Sequence, residues 1–167
     1  MADNIYIVGF MGTGKTAVGR LLAGQLKRDF FDLDDLIVER EKKQIPDIFK
    51  EKGEPYFRGV ESAVLLEISL KENQVVSCGG GAVIDPQNIE IMKRSGTIVC
   101  LTATAEVILE RTGKSSHRPL LNVPDPRSQI ENLLARRREC YSRADITIDT
   151  SAISVKEAAA RIKAALL

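Results

Sequence analysis

Short apolar runs alternate with segments of helical spacing along the whole chain. "NIYIVGF" (residues 4–10) reads as a strand, and residues 15–27 then place Val18, Leu21, Leu22 and Leu26 at helical intervals. "DFFDLD" (29–34), "NQVVSC" (73–78), "GTIVCL" (96–101) and "ADITID" (144–149) are four further strands. Helical patterns fall near 34–42, 57–70, 87–94, 104–111 and 127–142, with 154–166 closing the chain. Short strands interleaved with helices predict a parallel sheet covered on both faces, the doubly wound α/β class. The irregular stretch at 112–126, "TGKSSHRPLLNVPDP", is long enough to expect a functional loop.

Bulk composition narrows the class without naming a function. A chain of 167 residues, 44% hydrophobic and 28% charged, predicts a single domain spanning 1–167. The 24 basic and 23 acidic side chains leave a formal charge of +1. That balance gives no footprint for nucleic acid or an acidic membrane surface. Three cysteines with no CxxC pair argue against a zinc site or disulfide framework, and buried free thiols in a reducing cytosol are expected. Neither a signal peptide nor a membrane-spanning stretch is read, so the expected location is cytoplasmic. Monomer is the expected state, because no apolar surface stripe is left over once the helices face the sheet.

The glycines of "GFMGTGKT" carry the first chemical signal. Gly9, Gly14, Lys15 and Thr16 fill G-x-x-x-x-G-K-[ST] between a strand and a helix, where the phosphate-binding loop requires it. Backbone N–H groups there curl around phosphate, and the helix N-terminus adds its own unsatisfied donors. Lys15 reaches the β- and γ-phosphates, and Thr16 is placed to ligate Mg²⁺. The third strand ends in "SCGGG" with no acidic residue, and no N-K-x-D base-reading segment is present, which excludes a typical GTPase. "DLDD" instead offers Asp32 and Asp34, read as two residues apart on the second strand and so on one face. One would serve the metal and the other a substrate hydroxyl; capping of the next helix is the competing role for Asp34 or Asp35.

Arginines supply the acceptor side. Arg58 and Glu61 are helical neighbours, either a solvated ion pair or an arrangement that aims a guanidinium at a carboxylate. In "ARRRECY", a seven-residue step from Ile130 puts Arg137 on the inward face and leaves Arg136 and Arg138 in solvent. A guanidinium facing inward needs an anion. Gly79, Gly80 and Gly81 allow close approach of main chain to a ligand. Arg118, fixed beside Pro119, suits a lid arginine, whereas His117 is read as a loop residue with no proton role.

In the order "GFMGTGKT", "DLDD", "FRGVE", "CGGGAV", "RPLL" and "ARRRECY", these motifs resemble those of shikimate kinases over essentially the whole chain. The resemblance implies a P-loop kinase fold with five parallel strands in the order 2-3-1-4-5. It also implies transfer of the ATP γ-phosphoryl to the 3-hydroxyl of shikimate with Mg²⁺, in the pathway to chorismate and aromatic amino acids. Carried over by match, Gly12, Thr13, Gly14, Lys15, Thr16 and Ala17 hold the nucleotide, with Arg111 packing on adenine and Arg118 closing from the lid. Thr16 and Asp32 complete the metal environment. Asp34, Arg58, Gly80 and Arg137 contact shikimate, and Lys15, Asp34 and Arg118 are the catalytic set. The acceptor-binding segment is placed at about 34–61 and the lid at about 112–126. Two positions depart from the residues expected of the family: Glu139–Cys140, which bears on how its helix ends and does not touch Arg137, and Met11, which lies near the acceptor pocket and bears on its shape. A related gluconate kinase and a non-enzymatic nucleotide switch are the alternatives.

Overall fold

A computed structural model describes residues 3–113 and 121–167. Its centre is a five-stranded, all-parallel sheet in the order β2-β3-β1-β4-β5. The strands are β1 (Asn4–Gly9), β2 (Asp29–Asp32), β3 (Gln74–Ser77), β4 (Gly96–Thr102) and β5 (Ile146–Asp149). Seven helices accompany them among the described residues: α1 (Lys15–Leu26), α2 (Leu33–Glu41), α3 (Ile45–Ser69), α4 (Pro86–Ser95), α5 (Ala105–Thr112), α6 (Pro126–Tyr141) and α7 (Val155–Ala165).

The central strand explains the layering. Every residue of β1 is buried, as expected of a parallel strand covered on both faces. Successive side chains point to opposite faces. Ile5 and Ile7 accordingly join Val18, Leu22, Ala159 and Ile162 from α1 and α7. Tyr6 and Val8 join the larger core with Ile37, Leu65, Met92 and Ile130 from α2, α3, α4 and α6. β1 runs between β3 and β4, so the loop leaving its end emerges where the chain turns to either side. That is the position at which open α/β sheets bind ligands.

Two expectations change in the structure. β2 stops at Asp32, and Asp34 lies in the first turn of α2 rather than on a strand. The cause is the side chain of Asp32, which accepts the backbone N–H groups of Asp34 (2.9 Å) and Asp35 (3.4 Å) and so caps the helix. The capping residue is therefore Asp32, not Asp34 or Asp35. A helical arm also precedes the one expected at 57–70. It starts at Ile45, with Pro46 in its first turn, and meets the second arm at Gly53, whose φ of 82° breaks the helix two residues before Pro55. Of the three free cysteines, Cys78 and Cys100 are buried, whereas Cys140 is only half-buried.

Candidate active site

The ends of β1, β2 and β3 open onto one cleft of about 630 Å³. Its nucleotide half is the loop from Gly9 to Thr16. Gly12 and Gly14 take φ of 78° and 96°, a region that side chains rarely adopt. The loop is braced from inside. Thr13 is fully buried, and its hydroxyl donates to the Phe10 carbonyl at 2.7 Å, which makes it a strut under the loop rather than a ligand through its side chain. Lys15 Nζ donates to the same carbonyl at 3.1 Å. The first turn of α1 holds no acidic residue, so nothing from that turn neutralises the positive helix end. Ala17 contributes backbone in that turn and, like Gly12, lines the cleft.

Thr16 and Asp32 meet beside the phosphate loop. The Thr16 hydroxyl donates to Asp32 Oδ2 at 2.9 Å, while Oδ1 of the same carboxylate caps α2. A hydroxyl and one carboxylate beside a phosphate loop suit Mg²⁺, which keeps several waters and takes its other oxygens from substrate phosphates. Among the described residues no cluster of three or more His, Cys, Asp or Glu could hold a metal unaided. The donor set therefore fits an ion that arrives with a nucleotide.

The acceptor half is built around the glycine run after β3. Asp34 comes down from α2 beside Gly79: a Cβ there would lie 3.2 Å from Asp34 Oδ1 and 2.7 Å from Glu61 Oε2. Arg58 reaches in from α3, paired with Glu61 at 3.0 Å and Glu54 at 3.3 Å. Its Nε has no partner among the described residues. Glu61 is buried, so this is not a solvated surface pair. Arg137 arrives from α6 and is 3% exposed, with Arg136 and Arg138 in solvent. Its guanidinium lies 5.6 Å over the Phe10 ring, and Nη1 has no partner among the described residues. Gly80 fits beneath it, since a Cβ there would stand 3.4 Å from that nitrogen. Phe49 and Phe57, 4.9 Å apart between ring centroids, form an apolar wall.

Two substitutions test this packing. A Cβ on Gly81 would fall inside the Arg58 guanidinium. The backbone there (φ −100°) accepts any residue, so the collision is with the arginine alone. Gly81→Ala should raise the acceptor KM by about 10- to 100-fold, the scale of a misplaced positioning group, with little change in melting temperature. Steady-state kinetics and a thermal melt check this. Glu61 tests the electrostatics. Burial pushes its carboxyl above the usual range, with Arg58 pulling against that rise. The folded state thus binds a proton more readily than the unfolded chain, and the associated stability is lost as pH rises through the raised value. Glu61→Gln should gain stability relative to the parent as pH rises through that raised value, read in denaturant titrations at a series of pH values, while raising the acceptor KM through a loosened Arg58.

Arg111 is more constrained than its motif suggests. It donates to the Gly12 carbonyl at 3.1 Å and to the Thr150 carbonyl at 2.8 Å, tying α5 to the phosphate loop and to the end of β5. Thr150 adds a hydroxyl bond to the Thr13 carbonyl at 2.8 Å. Nothing in the sequence pattern marked Thr150, which reads as an ordinary polar residue after a strand. Phe49 was also missed, because it belongs to the arm of α3 that periodicity did not reveal. Arg118, His117 and the central part of the lid segment lie outside the described residues.

A phosphate loop at a sheet switch point, a hydroxyl–carboxylate pair for Mg²⁺ and a guanidinium-lined acceptor cleft define an ATP-dependent phosphotransferase of the P-loop class. The profile of the shikimate kinase family matches residues 11–167. The chain belongs to the shikimate kinase family, whose members use ATP with Mg²⁺. It is 42% identical over 159 residues to a shikimate kinase of Thermodesulfovibrio yellowstonii, covering 95% of this chain and 92% of that one. Shikimate kinase from Acinetobacter baumannii, solved in complex with shikimate, superposes with a TM-score of 0.96 at 38% identity over 99% of this chain and 93% of that one. The Aquifex aeolicus shikimate kinase structure gives 0.86 at 42% identity, over 98% and 95%. A gluconokinase from Sinorhizobium meliloti, at 19% identity and TM-score 0.58, shares the fold alone.

Proposed function

We propose that the chain transfers the γ-phosphoryl group of ATP to the 3-hydroxyl of shikimate, and that it does so with the residues gathered in this cleft. The observation that carries the reading is the pair of guanidinium groups, Arg58 and Arg137. Each has a nitrogen without a protein partner among the described residues, and the two flank the Gly79–Gly81 run facing the phosphate loop. Burying a cation such as Arg137 without a paired anion is costly, and a planar carboxylate answers a guanidinium in bidentate geometry.

The acceptor is held by its carboxylate so that its alcohol lies between Asp34 and the nucleotide. Gly12 to Ala17 cradle the phosphates through backbone N–H groups, and Lys15 leaves the Phe10 carbonyl to follow the β- and γ-phosphates. Thr16 and Asp32 would hold Mg²⁺, which would supply positive charge to offset that of the phosphates. Asp34 accepts the hydroxyl proton as the acceptor oxygen bonds to phosphorus and the bond to the ADP oxygen breaks. Charge on the equatorial oxygens is met by Lys15, the loop N–H groups and Arg118. Arg111 offers adenine the flat face of a guanidinium whose N–H edge is already fixed on protein carbonyls. The acceptor-binding segment is about 34–61 and the lid about 112–126, within one domain that acts as a monomer in the cytoplasm. No helix among the described residues is long and apolar enough to cross a membrane.

A coupled ADP-release assay with shikimate, gluconate and no acceptor tests the reading. ADP should appear only with shikimate; release only with gluconate would overturn it.

A further inference from the structure

Tyr141, the last residue of α6, has no part in the chemistry above, yet it sits at the junction of the acceptor groups. Its ring is buried, and its hydroxyl donates to the Gly80 carbonyl at 2.6 Å across 61 residues of sequence. Burial pushes that hydroxyl up to about 12, with the Arg137 guanidinium pulling against the rise. It therefore remains a protonated donor at any working pH. Arg137 lies one helical turn earlier, on the same face of α6.

The Gly80 carbonyl needs such a donor. Three successive glycines place few steric limits on peptide orientation, so the direction of each carbonyl must be set from outside. The run's own turn bonds join Ala82 N–H to the Gly79 carbonyl at 3.0 Å and Ile84 N–H to the Gly81 carbonyl at 3.1 Å. Neither holds Gly80. Gly80 also packs beneath Arg137 Nη1, so a rotated peptide there would move the surface on which the guanidinium rests.

We propose that Tyr141 is a positioning residue that fixes the Gly80 peptide against Arg137 and thereby sets the geometry in which the acceptor's carboxylate is gripped. It acts through these two groups and touches no reacting atom. The inference rests on Arg137 as the carboxylate contact, so the test separates the two claims.

The experiment compares the parent with Tyr141→Phe, using shikimate and its uncharged methyl ester as acceptors. In the parent, shikimate should be strongly preferred; no preference would remove Arg137 from its role before Tyr141 is considered. In Y141F the shikimate KM should rise about tenfold, the scale of one buried hydrogen bond. The KM for ATP and kcat should shift by about twofold or less, and the preference over the ester should shrink. An unchanged shikimate KM, or a parallel loss on both acceptors, would overturn the proposal. A second variant covers failure of Y141F to fold: 3,5-difluorotyrosine placed at position 141 keeps the ring and hydroxyl but ionises more readily. Its shikimate KM should climb on the alkaline side while the KM for ATP stays level, and a flat shikimate profile would equally sink the idea.

Discussion

Asp34→Asn is expected to lower kcat for shikimate phosphorylation by about two to four orders of magnitude, the range associated with loss of a positioned general base. The substitution is isosteric, and the backbone of Asp34 is held by something it does not alter, the bond from its N–H to Asp32 Oδ1 at 2.9 Å. The cap of α2 therefore survives, and so does the Thr16–Asp32 contact on the metal side. What changes is one oxygen facing Gly79, where the carboxylate sits beside the glycine run. An amide can still accept a hydrogen bond from the acceptor hydroxyl, but it cannot take the proton. Affinity for ATP and for shikimate, measured by calorimetry, should accordingly change far less than turnover. A fall in kcat of tenfold or less (about the effect of one altered hydrogen bond) would assign Asp34 to orientation alone, consistent with a loose transition state that depends mainly on alignment.

The sequence made the nucleotide half of this site legible because its chemistry restricts residue type. A loop that curls N–H groups around phosphate needs residues at positive φ, and Gly12 and Gly14 are found there. Arg137 was legible for a different reason: its position on the seven-residue step from Ile130 conflicts with its charge, and it is buried where its neighbours Arg136 and Arg138 are not. Asp34 does line the cleft, but by a different geometry from strand alternation: the turn made by the Asp32 cap is what points it inward. Sequence could not separate these cases, since "DLDD" fits the end of a strand as well as the start of a helix. The arm of α3 from Ile45 was hidden because it is short, carries Pro46 in its first turn and stops at Gly53. Tyr141 was hidden because an aromatic at helical spacing looks like core, and in large part it is core. Only its hydroxyl, aimed at a carbonyl 61 residues away, distinguishes it.

Arg137 carries the second large effect, and it separates function from stability. On the proposed binding mode, removing it leaves the acceptor's carboxylate without its charged partner, a change that costs about 2–5 kcal/mol, or roughly 30- to 5,000-fold in shikimate affinity. Arg137→Met and Arg137→Ala should both show that loss. Arg137→Lys should fall between them and the parent, because a lysine keeps the charge but cannot match both oxygens of a carboxylate at once. Stability should not follow affinity. In the free enzyme this guanidinium is 3% exposed, rests over the Phe10 ring and has one nitrogen with no protein partner among the described residues. A buried cation so placed is held at a desolvation cost, and replacing such groups with apolar side chains of similar volume is often neutral or stabilising. Arg137→Met, which fills most of the same space, should therefore melt at or above the temperature of the parent while binding shikimate far more weakly. Alanine, leaving a void beside Phe10 and Gly80, should melt below methionine. Thermal melts of the three variants with and without shikimate read both quantities together: the parent should be raised by the ligand and Arg137→Met should not. A methionine variant that is strongly destabilised in the absence of ligand would show that Arg137 holds the fold together rather than being held ready for an anion.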